Sequence, residues 1–236
     1  MRGETFHHYR DRAQRFFVFD MFGTLVINER NTVEPIFEVL CTYYPGVDPS
    51  DLSHAYHEFT REFKSTHSNM ELSIDRIIER LDEVFGFHND PDSMEDPLLR
   101  NTRLYTAAPG AEDLLRYLKD NGYRVGVLSN SRYHSRTIRG ILEDEGLLGY
   151  IDEVVSSADI GFRKPHPEAY LDILRRMGAE PGKAYFAGDN IAKDYYGPLA
   201  VSFRGAVLIS PEIAGQNLMR VDRIGDIIGL FDSDDR

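Results

Sequence analysis

The chain has 236 residues, of which 42% are hydrophobic, and its 39 acidic against 27 basic residues give a formal net charge of −12. This size suits one large domain or a domain with an insertion, and the acidic balance argues against nucleic acid or an anionic membrane as a partner, because like charges repel. No apolar stretch approaches the ~20 residues of a membrane span, no signal peptide is recognisable, and the single cysteine, Cys41, fits a reducing compartment, so a cytoplasmic location is predicted.

The first predicted element is a buried strand at residues 16–20, in which four apolar residues run directly into Asp20. Residues 28–104 differ from the rest of the chain, because apolar residues recur there at helical spacing and strand signals are absent. Asp48 followed by Pro49 marks the start of one helix, since an acidic N-cap and a proline in the first turn both favour helix initiation. We therefore expect an all-helical block inserted directly after the first strand.

Beyond residue 104, short strand-like runs alternate with amphipathic helical patterns. The predicted strands are 123–129, 151–155, 184–187 and 205–209, and the predicted helices are 110–121, 134–145, 166–178 and 195–202. This alternation is typical of an α/β fold with a doubly wound, Rossmann-like parallel sheet. We predict a core domain of residues 1–27 and 105–236, a helical domain of residues 28–104, and a frayed acidic tail at 232–236.

Polar residues follow the predicted strands at the edge where open α/β sheets bind ligands. They are a carboxylate at Asp20, a hydroxyl at Ser129, a lysine at Lys164 and two further carboxylates at Asp189 and Asp194. Each of them alone is typical of a turn, a helix cap or a solvated loop. Together they supply a nucleophile, oxygen ligands for Mg²⁺ and two groups that bind phosphoryl oxygens, which is sufficient in principle for phosphoryl transfer.

The order and spacing of these residues resemble the four motifs of the haloacid dehalogenase-like (HAD) superfamily. The segment Asp20–Thr24 matches the first motif, which is D-x-D-G-T or a variant, and Ser129 in Leu128–Asn130 matches the second. Lys164 before a proline matches the third motif, and Gly188–Asp194 matches the fourth, G-D-x-x-x-x-D. The helical block at 28–104 corresponds in position to the helical cap of the family. The stretch 188–198 is similar to the narrower Reg-2-like subgroup.

By this resemblance the protein is a Mg²⁺-dependent phosphatase that hydrolyses a small phosphorylated metabolite through an aspartyl-phosphate on Asp20. The implied catalytic residues are Asp20, Ser129, Lys164 and Asp194. The implied substrate contacts are Gly23, Thr24, Ser129, Asn130 and Lys164. The implied Mg²⁺ site consists of Asp20, the backbone carbonyl of Phe22, Asp189, and Asp194, which contacts a metal-bound water or Lys164. The resemblance identifies neither the physiological substrate, nor the oligomeric state, nor a role for residues 1–15.

Phe22 departs from the usual family pattern, in which a second acid occupies this position. Phe22 keeps the backbone carbonyl that binds Mg²⁺ but cannot transfer protons. General acid–base catalysis typically contributes ~10²–10⁴-fold to a rate. Such a site would therefore turn over slowly, or the cap or the substrate would supply the proton.

Two alternatives to a phosphatase stay open. Haloacid dehalogenases of the superfamily also carry an aromatic residue at the position of Phe22, and a halide leaving group needs no protonation. Those enzymes work without a metal, however, and lack the Gly-Asp pair of the fourth motif; without a cation, Asp189 would repel Asp20 and impair the nucleophile. The second alternative is a non-catalytic module that binds a phosphorylated ligand or a partner through the retained residues.

Overall fold

The computed structural model describes residues 15–28, 35–100, 104–211 and 218–231, so the predicted frayed tail at 232–236 lies outside the described residues. In chain order the strands are β1 (Arg15–Phe19), β2 (Val26–Asn28), β3 (Tyr105–Ala107), β4 (Tyr123–Ser129), β5 (Glu153–Ser156), β6 (Ala184–Gly188), β7 (Gly205–Ile209) and β8 (Arg220–Val221). The α-helices are α1 (Pro35–Tyr43), α2 (Pro49–Thr66), α3 (Ile74–Phe85), α4 (Pro91–Arg100), α5 (Ala111–Asp120), α6 (Ser135–Asp144), α7 (Ser157–Ile160), α8 (Pro167–Met177), α9 (Gly197–Ala200) and α10 (Ile227–Phe231).

Six strands form one sheet in the order β5-β4-β1-β6-β7-β8, and every neighbouring pair is parallel. Successive side chains of β1 point to opposite faces: Phe17 and Phe19 belong to the buried cluster that includes α5, and Phe16 and Val18 to the cluster that includes α8. Helices thus cover both faces of the sheet, which explains the continuous apolar sequence of β1. The predicted fold class is confirmed, and all five predicted strands occur in this sheet.

The core differs from the prediction in several short elements, which include the unpredicted helices α7 and α10. The helix predicted at 195–202 begins earlier, because Ile191–Tyr196 form a π-helical segment that continues into α9. Asn190 explains the earlier start, since its side-chain oxygen accepts hydrogen bonds from the backbone N–H groups of Ala192 (3.2 Å) and Lys193 (3.1 Å). The strands β2, β3 and β8 were missed, because two or three residues are too few to show a strand period.

The described part of the chain between β2 and β3 consists of the helices α1–α4 and their connections, which we call the helical insertion (residues 35–100). β2 and β3 pair antiparallel, with Val26 opposite Ala107, so the two chain passages that lead to the insertion lie side by side. Asp48 caps α2, and its Oδ1 accepts a hydrogen bond from the N–H of Ser50 at 2.8 Å. The division into two domains stays a prediction. Among the helices of the described ranges, none is both long and apolar enough to cross a membrane.

The helical insertion is attached to the core at a second place besides β2 and β3. An isolated antiparallel bridge joins Met70, in the loop between α2 and α3, to Phe162, in the loop between α7 and α8. Backbone hydrogen bonds of 2.9 Å lie on both sides of this bridge. The insertion therefore contacts the loop that leads directly into Lys164.

Candidate active site

Asp20 lies directly after β1, at the carboxyl edge of the sheet between β4 and β6. Its backbone N–H donates a hydrogen bond of 2.9 Å to the carbonyl of Ala187 in β6, which extends the ladder by one residue. The chain then reverses in a tight turn, in which the carbonyl of Met21 accepts hydrogen bonds from Leu25 (2.9 Å) and Val26 (3.0 Å). The turn holds Asp20 at the rim of the sheet with only 8% of its surface exposed.

Lys164 brings a positive charge to Asp20. Its Nζ donates hydrogen bonds of 2.7 Å to Oδ1 of Asp20 and to Oδ1 of Asp194, and the lysine is buried. Asn130, in the loop after β4, binds the lysine backbone: its Oδ1 accepts from the N–H of Lys164 at 2.7 Å, and its Nδ2 donates to the carbonyl at 2.9 Å. The side-chain amide of Asn130 thus fixes the loop that carries Lys164.

Asp194 is held by hydrogen bonds at both carboxylate oxygens. Oδ1 accepts the bond from Lys164, and Oδ2 accepts a bond of 3.0 Å from the backbone N–H of Asn190. The carboxylate packs against Gly188 at the end of β6, where an added Cβ would lie 2.5 Å from the carboxyl carbon of Asp194. Packing therefore requires glycine at the position that precedes Asp189.

Asp20, Asp189 and Asp194 form a carboxylate cluster, in which each residue offers one oxygen within 4.8 Å of the others. Gly23 makes room for it, because its φ of +87° favours glycine and an added Cβ would lie 2.6 Å from Oδ2 of Asp189. Carboxylate oxygens at this spacing suit a hard divalent cation such as Mg²⁺. Asp189 is exposed while the other two are buried, so the cluster is open to solvent on the side of Asp189.

The charges of this cluster are not balanced by Lys164 alone. Burial raises the pKa of Asp20 to about 6; the positive charge of Lys164 opposes this effect, and the charge of Asp194 adds to it. Burial disfavours the charged form of Lys164, but the two carboxylates that it contacts outweigh burial and raise the pKa of its ammonium. Partial desolvation, followed by the charge of Asp194, raises the pKa of Asp189. One ammonium against three carboxylates leaves a site that a divalent cation would neutralise.

Ser129 ends β4, which is the neighbour of β1 in the sheet. Only 1% of its surface is exposed, and within the described residues its hydroxyl oxygen has no hydrogen-bond partner. Buried hydroxyls nearly always have a partner, so this hydroxyl is left free to bind the oxygen of a water or a ligand at this edge. A serine hydroxyl is able to donate to a phosphoryl oxygen.

The turn after Asp20 gives Thr24 and Phe22 different contacts. The hydroxyl of Thr24 donates a long hydrogen bond of 3.4 Å to Oδ2 of Asp20. The half-buried ring of Phe22 packs against Tyr105 of β3, with the ring centroids 4.9 Å apart. Phe22 therefore contributes apolar packing, and no titratable group, at the position where the family usually has its second acid.

A cavity of about 430 Å³ borders this turn on the side of β7. Its lining includes Gly23, Thr24 and Asp189 from the carboxylate edge, together with Ile209 and Ser210 at the end of β7. The cavity gives water and small ions access to the carboxylate of Asp189.

The structure brings the predicted site residues to one edge of the sheet. Asp20, Lys164 and Asp194 are in direct contact, Asp189 completes the carboxylate cluster, and Ser129 ends the neighbouring strand. Three predicted substrate contacts serve to build the site: Gly23 packs against Asp189, Thr24 binds Asp20, and Asn130 binds the backbone of Lys164. That these three also contact a substrate stays a prediction.

Sequence reasoning missed a buried network around Glu71, in the helical insertion. Glu71 is 5% exposed and accepts hydrogen bonds from the guanidinium of Arg163 at 2.7 Å and the hydroxyl of Ser157 at 2.6 Å. Arg163 immediately precedes Lys164, so the network supports the loop of the lysine from the side of the insertion. The Arg-Lys pair is visible in the sequence, but its partner lies 92 residues away and no pattern points to it.

The site gathers carboxylates, a lysine and a hydroxyl at the carboxyl edge of a doubly wound sheet, and Asp20 follows the first strand. This arrangement is typical of HAD-type enzymes. A family model described as haloacid dehalogenase-like hydrolase matches residues 15–198. The chain belongs to this family of haloacid dehalogenase-like hydrolases, as the four motifs predict. Its place in the Reg-2-like subgroup stays a prediction.

Relatives with assigned names match part of the chain. It is 38% identical over 103 residues to human haloacid dehalogenase-like hydrolase domain-containing protein 3, and the aligned stretch covers 44% of this chain and 40% of that protein. It is 30% identical over 127 residues to glyceraldehyde 3-phosphate phosphatase of Methanothermobacter thermautotrophicus, and the aligned stretch covers 52% of this chain and 54% of that protein. The chain thus matches about half the length, or less, of these two relatives.

A solved structure shares the fold of this chain. The 2-haloacid dehalogenase from Pseudomonas syringae pv. Tomato DC3000 superimposes with a TM-score of 0.66 and 19% sequence identity, covering 93% of this chain and 99% of that chain. At this identity the likeness shows the fold alone.

Proposed function

We propose that this protein is a Mg²⁺-dependent phosphatase that hydrolyses a small phosphomonoester through an aspartyl-phosphate on Asp20. The observation that carries the proposal is the position of Lys164 Nζ, 2.7 Å from both Asp20 and Asp194 at the rim of the carboxylate cluster. The lysine holds the Asp20 carboxylate in one orientation and favours its ionised form, as a nucleophile requires. The name of the phosphatase relative supports phosphoryl chemistry.

The proposed reaction has two chemical steps, in which Asp20, Lys164 and Ser129 take part. A carboxylate oxygen of Asp20 attacks phosphorus, the bond from phosphorus to the ester oxygen breaks, and the leaving oxygen takes up a proton from the substrate, the insertion or solvent, because Phe22 has none to give. Lys164 and the hydroxyl of Ser129 bind phosphoryl oxygens as charge develops on them. Water then attacks the phosphorus of the aspartyl-phosphate, which releases inorganic phosphate and restores the carboxylate of Asp20.

The residues that would hold Mg²⁺ are Asp20, Asp189 and the backbone carbonyl of Phe22. When bound, the cation would offset the repulsion between the carboxylates and the phosphoryl group. Asp194 has both oxygens engaged, with Lys164 and with the backbone of Asn190, so we assign it chiefly to positioning the lysine. The orphaned hydroxyl of Ser129 and the space that Gly23 leaves for Asp189 both agree with a phosphoryl group next to a cation.

Phe22 sets the expected rate and motivates a second candidate, a 2-haloacid dehalogenase. With Phe22 in place of the second acid, proton transfer must come from the substrate, the insertion or solvent, which predicts slow turnover. A dehalogenase needs no such acid, and Asp20 would instead attack the carbon that carries the halogen. The carboxylate cluster favours the phosphatase, because three neighbouring carboxylates beside one ammonium repel one another, and a bound divalent cation relieves that repulsion.

The test is hydrolysis of p-nitrophenyl phosphate with Mg²⁺ and with EDTA, because its good leaving group tolerates a missing acid. We expect turnover with Mg²⁺, loss of turnover in EDTA, and loss in Asp20→Asn, while Asp113→Asn, on the exposed side of α5, behaves as wild type. No Mg²⁺-dependent turnover, with wild type and Asp20→Asn alike, contradicts the phosphatase. Chloride release from 2-chloropropionate in EDTA would support the dehalogenase, and binding of orthovanadate without any turnover would support a non-catalytic module.

The remaining parts of the proposal concern the substrate class and the location. The helical insertion would act as the cap of the family over the carboxyl edge, which favours small substrates over macromolecules. A small phosphorylated metabolite is therefore the proposed partner. The net charge of −12 argues against binding to nucleic acid or anionic membranes, because like charges repel. We also propose a cytoplasmic location.

A further inference from the structure

Arg132 carries a positive charge that pairs with no carboxylate of the described residues. It lies in the loop after β4, three residues beyond Ser129. Its guanidinium contacts the hydroxyl of Tyr56 in α2 and lies 5.7 Å from the centroid of that tyrosine ring. Within the described ranges no carboxylate forms an ion pair with it, whereas the nearby Arg163 pairs with Glu71.

The position of Arg132 is fixed between the insertion and the catalytic edge of the sheet. Its carbonyl accepts a hydrogen bond of 2.8 Å from the N–H of Ile74, at the start of α3. Its side chain contacts Tyr56 of α2. Two residues before it in the same loop is Asn130, whose side chain binds the backbone of Lys164. Arg132 thus lies where the loop after β4, at the carboxyl edge of the sheet, contacts the insertion.

An unneutralised guanidinium in this position is costly unless a ligand completes it. Burial lowers the pKa of Arg132, and the positive charge of Arg163 acts in the same direction. The side chain is half-buried, a partly desolvated charge is costly without a partner, and the hydroxyl of Tyr56 supplies no negative charge. A guanidinium matches the oxygens of a carboxylate or a phosphate with two parallel hydrogen bonds. An anionic group of the substrate is thus the partner that this environment lacks.

We propose that Arg132, oriented by Tyr56, binds a second anionic group of the substrate, so that the preferred substrates are phosphomonoesters whose leaving group carries a carboxylate or a further phosphate. The inference rests on the proposed function for the identity of the first group, which is the phosphoryl group at Asp20. It assigns the face between α2 and the loop after β4 to recognition of the leaving group.

Binding of non-hydrolysable phosphonates tests the proposal without requiring turnover. Isothermal titration calorimetry with Mg²⁺ compares ω-phosphonocarboxylates of two, three and four carbons with alkylphosphonates of the same length, and a second arm uses the corresponding diphosphonates. We expect the second anion to raise affinity at least ~10-fold for one of these lengths in the wild-type protein, because a charged hydrogen bond contributes this much. The two arms separate a carboxylate preference from a phosphate preference.

Variants locate that gain in affinity. In Arg132→Gln the gain in affinity from the second anion should fall below about 3-fold, and in Arg132→Lys part of that gain should remain. The matched control Arg80→Gln removes an exposed arginine from α3 and should keep the gain in full. Equal affinities for the paired ligands in wild type, or an undiminished gain in Arg132→Gln, overturn the proposal. The wild-type comparison stands even if a variant does not fold.

The outcomes also separate this proposal from the proposed function. A preference for doubly anionic ligands without turnover of any phosphomonoester would refute the phosphatase and retain the role of Arg132. Turnover of p-nitrophenyl phosphate without a preference for the second anion would retain the phosphatase and refute the role of Arg132.

Discussion

Nζ of Lys164 lies 2.7 Å from Oδ1 of Asp20, and both residues are buried. The same ammonium reaches Asp194, so one lysine serves two carboxylates. The three residues come from the end of β1, the loop before α8 and the segment after β6, so their contacts exist only in the folded chain. The charge balance of the site is therefore coupled to folding and is measurable as stability.

The pKa of Asp20 predicts that this residue destabilises the metal-free protein as the pH rises. Burial raises this pKa from 3.8 to about 6, so between these values the folded chain binds more protons at Asp20 than the unfolded chain does. The free energy of unfolding should therefore fall from about pH 4 to about pH 6 through this group. Urea unfolding in EDTA should show a steeper fall in wild type than in Asp20→Asn; parallel pH profiles would be evidence against the raised pKa.

Mg²⁺ is expected to stabilise the folded protein through the carboxylate cluster. A ligand at 100 times its dissociation constant adds about 2.7 kcal/mol to the free energy of unfolding. Asp189→Asn, which removes the exposed carboxylate, should lose most of this gain, whereas Asp113→Asn should keep it. Thermal unfolding with increasing Mg²⁺ measures the effect, and an equal gain in both variants would place the cation elsewhere.

Phe22→Asp should raise the rate at which the aspartyl-phosphate is hydrolysed. The new carboxylate would act as the missing general base, for which we expect a gain of ~10²-fold, the lower end of the usual contribution, if water attack limits turnover. Phe22→Leu also removes the ring contact with Tyr105 but adds no acid, so it is the matched control. Rapid-quench kinetics separates the two steps. A rate unchanged from Phe22→Leu would mean that another group transfers the proton or that a different step limits turnover.

Glu71→Gln should weaken both the fold and the positioning of Lys164. It leaves the guanidinium of Arg163 without its carboxylate partner, which should lower the free energy of unfolding by about 1–3 kcal/mol. We expect kcat to fall while KM changes little, and Glu71→Asp to recover part of kcat. Glu83→Gln, which breaks an exposed pair with Arg80, is the control and should leave both quantities near wild type. A loss of stability with kcat intact would confine Glu71 to a structural role.

The sheet and the placement of the motifs could be predicted because each depends on local sequence. β1 is a continuous apolar run since both of its faces are covered, and parallel strands bring Asp20 and Ser129 to the same edge whatever lies between them. The side-chain pairings could not be predicted in the same way. Arg163 pairs with Glu71, and Arg132 contacts Tyr56, only because the helical insertion packs against the loops that follow the strands.

The contacts of Asn130 and Asp194 illustrate the same limit on a smaller scale. Their positions in the motifs follow from the spacing of residues, but their partners depend on backbone geometry. Asn130 binds the backbone of Lys164, and the second oxygen of Asp194 accepts from the N–H of Asn190 because the helix begins at Ile191, four residues before its predicted start. The sequence thus identifies which residues gather at the site, and the structure shows which of them hold the others in place.

The central claim is that Asp20 is the nucleophile, and a trapped covalent intermediate tests it most directly. The protein is mixed with p-nitrophenyl phosphate and Mg²⁺, quenched in acid within the first turnover, and digested for peptide mass spectrometry. The account predicts a peptide containing Asp20 that is heavier by one phosphoryl group, present in wild type and absent in Asp20→Asn and in EDTA. Turnover with no phosphoryl group on Asp20, or with the group on another residue, would contradict it.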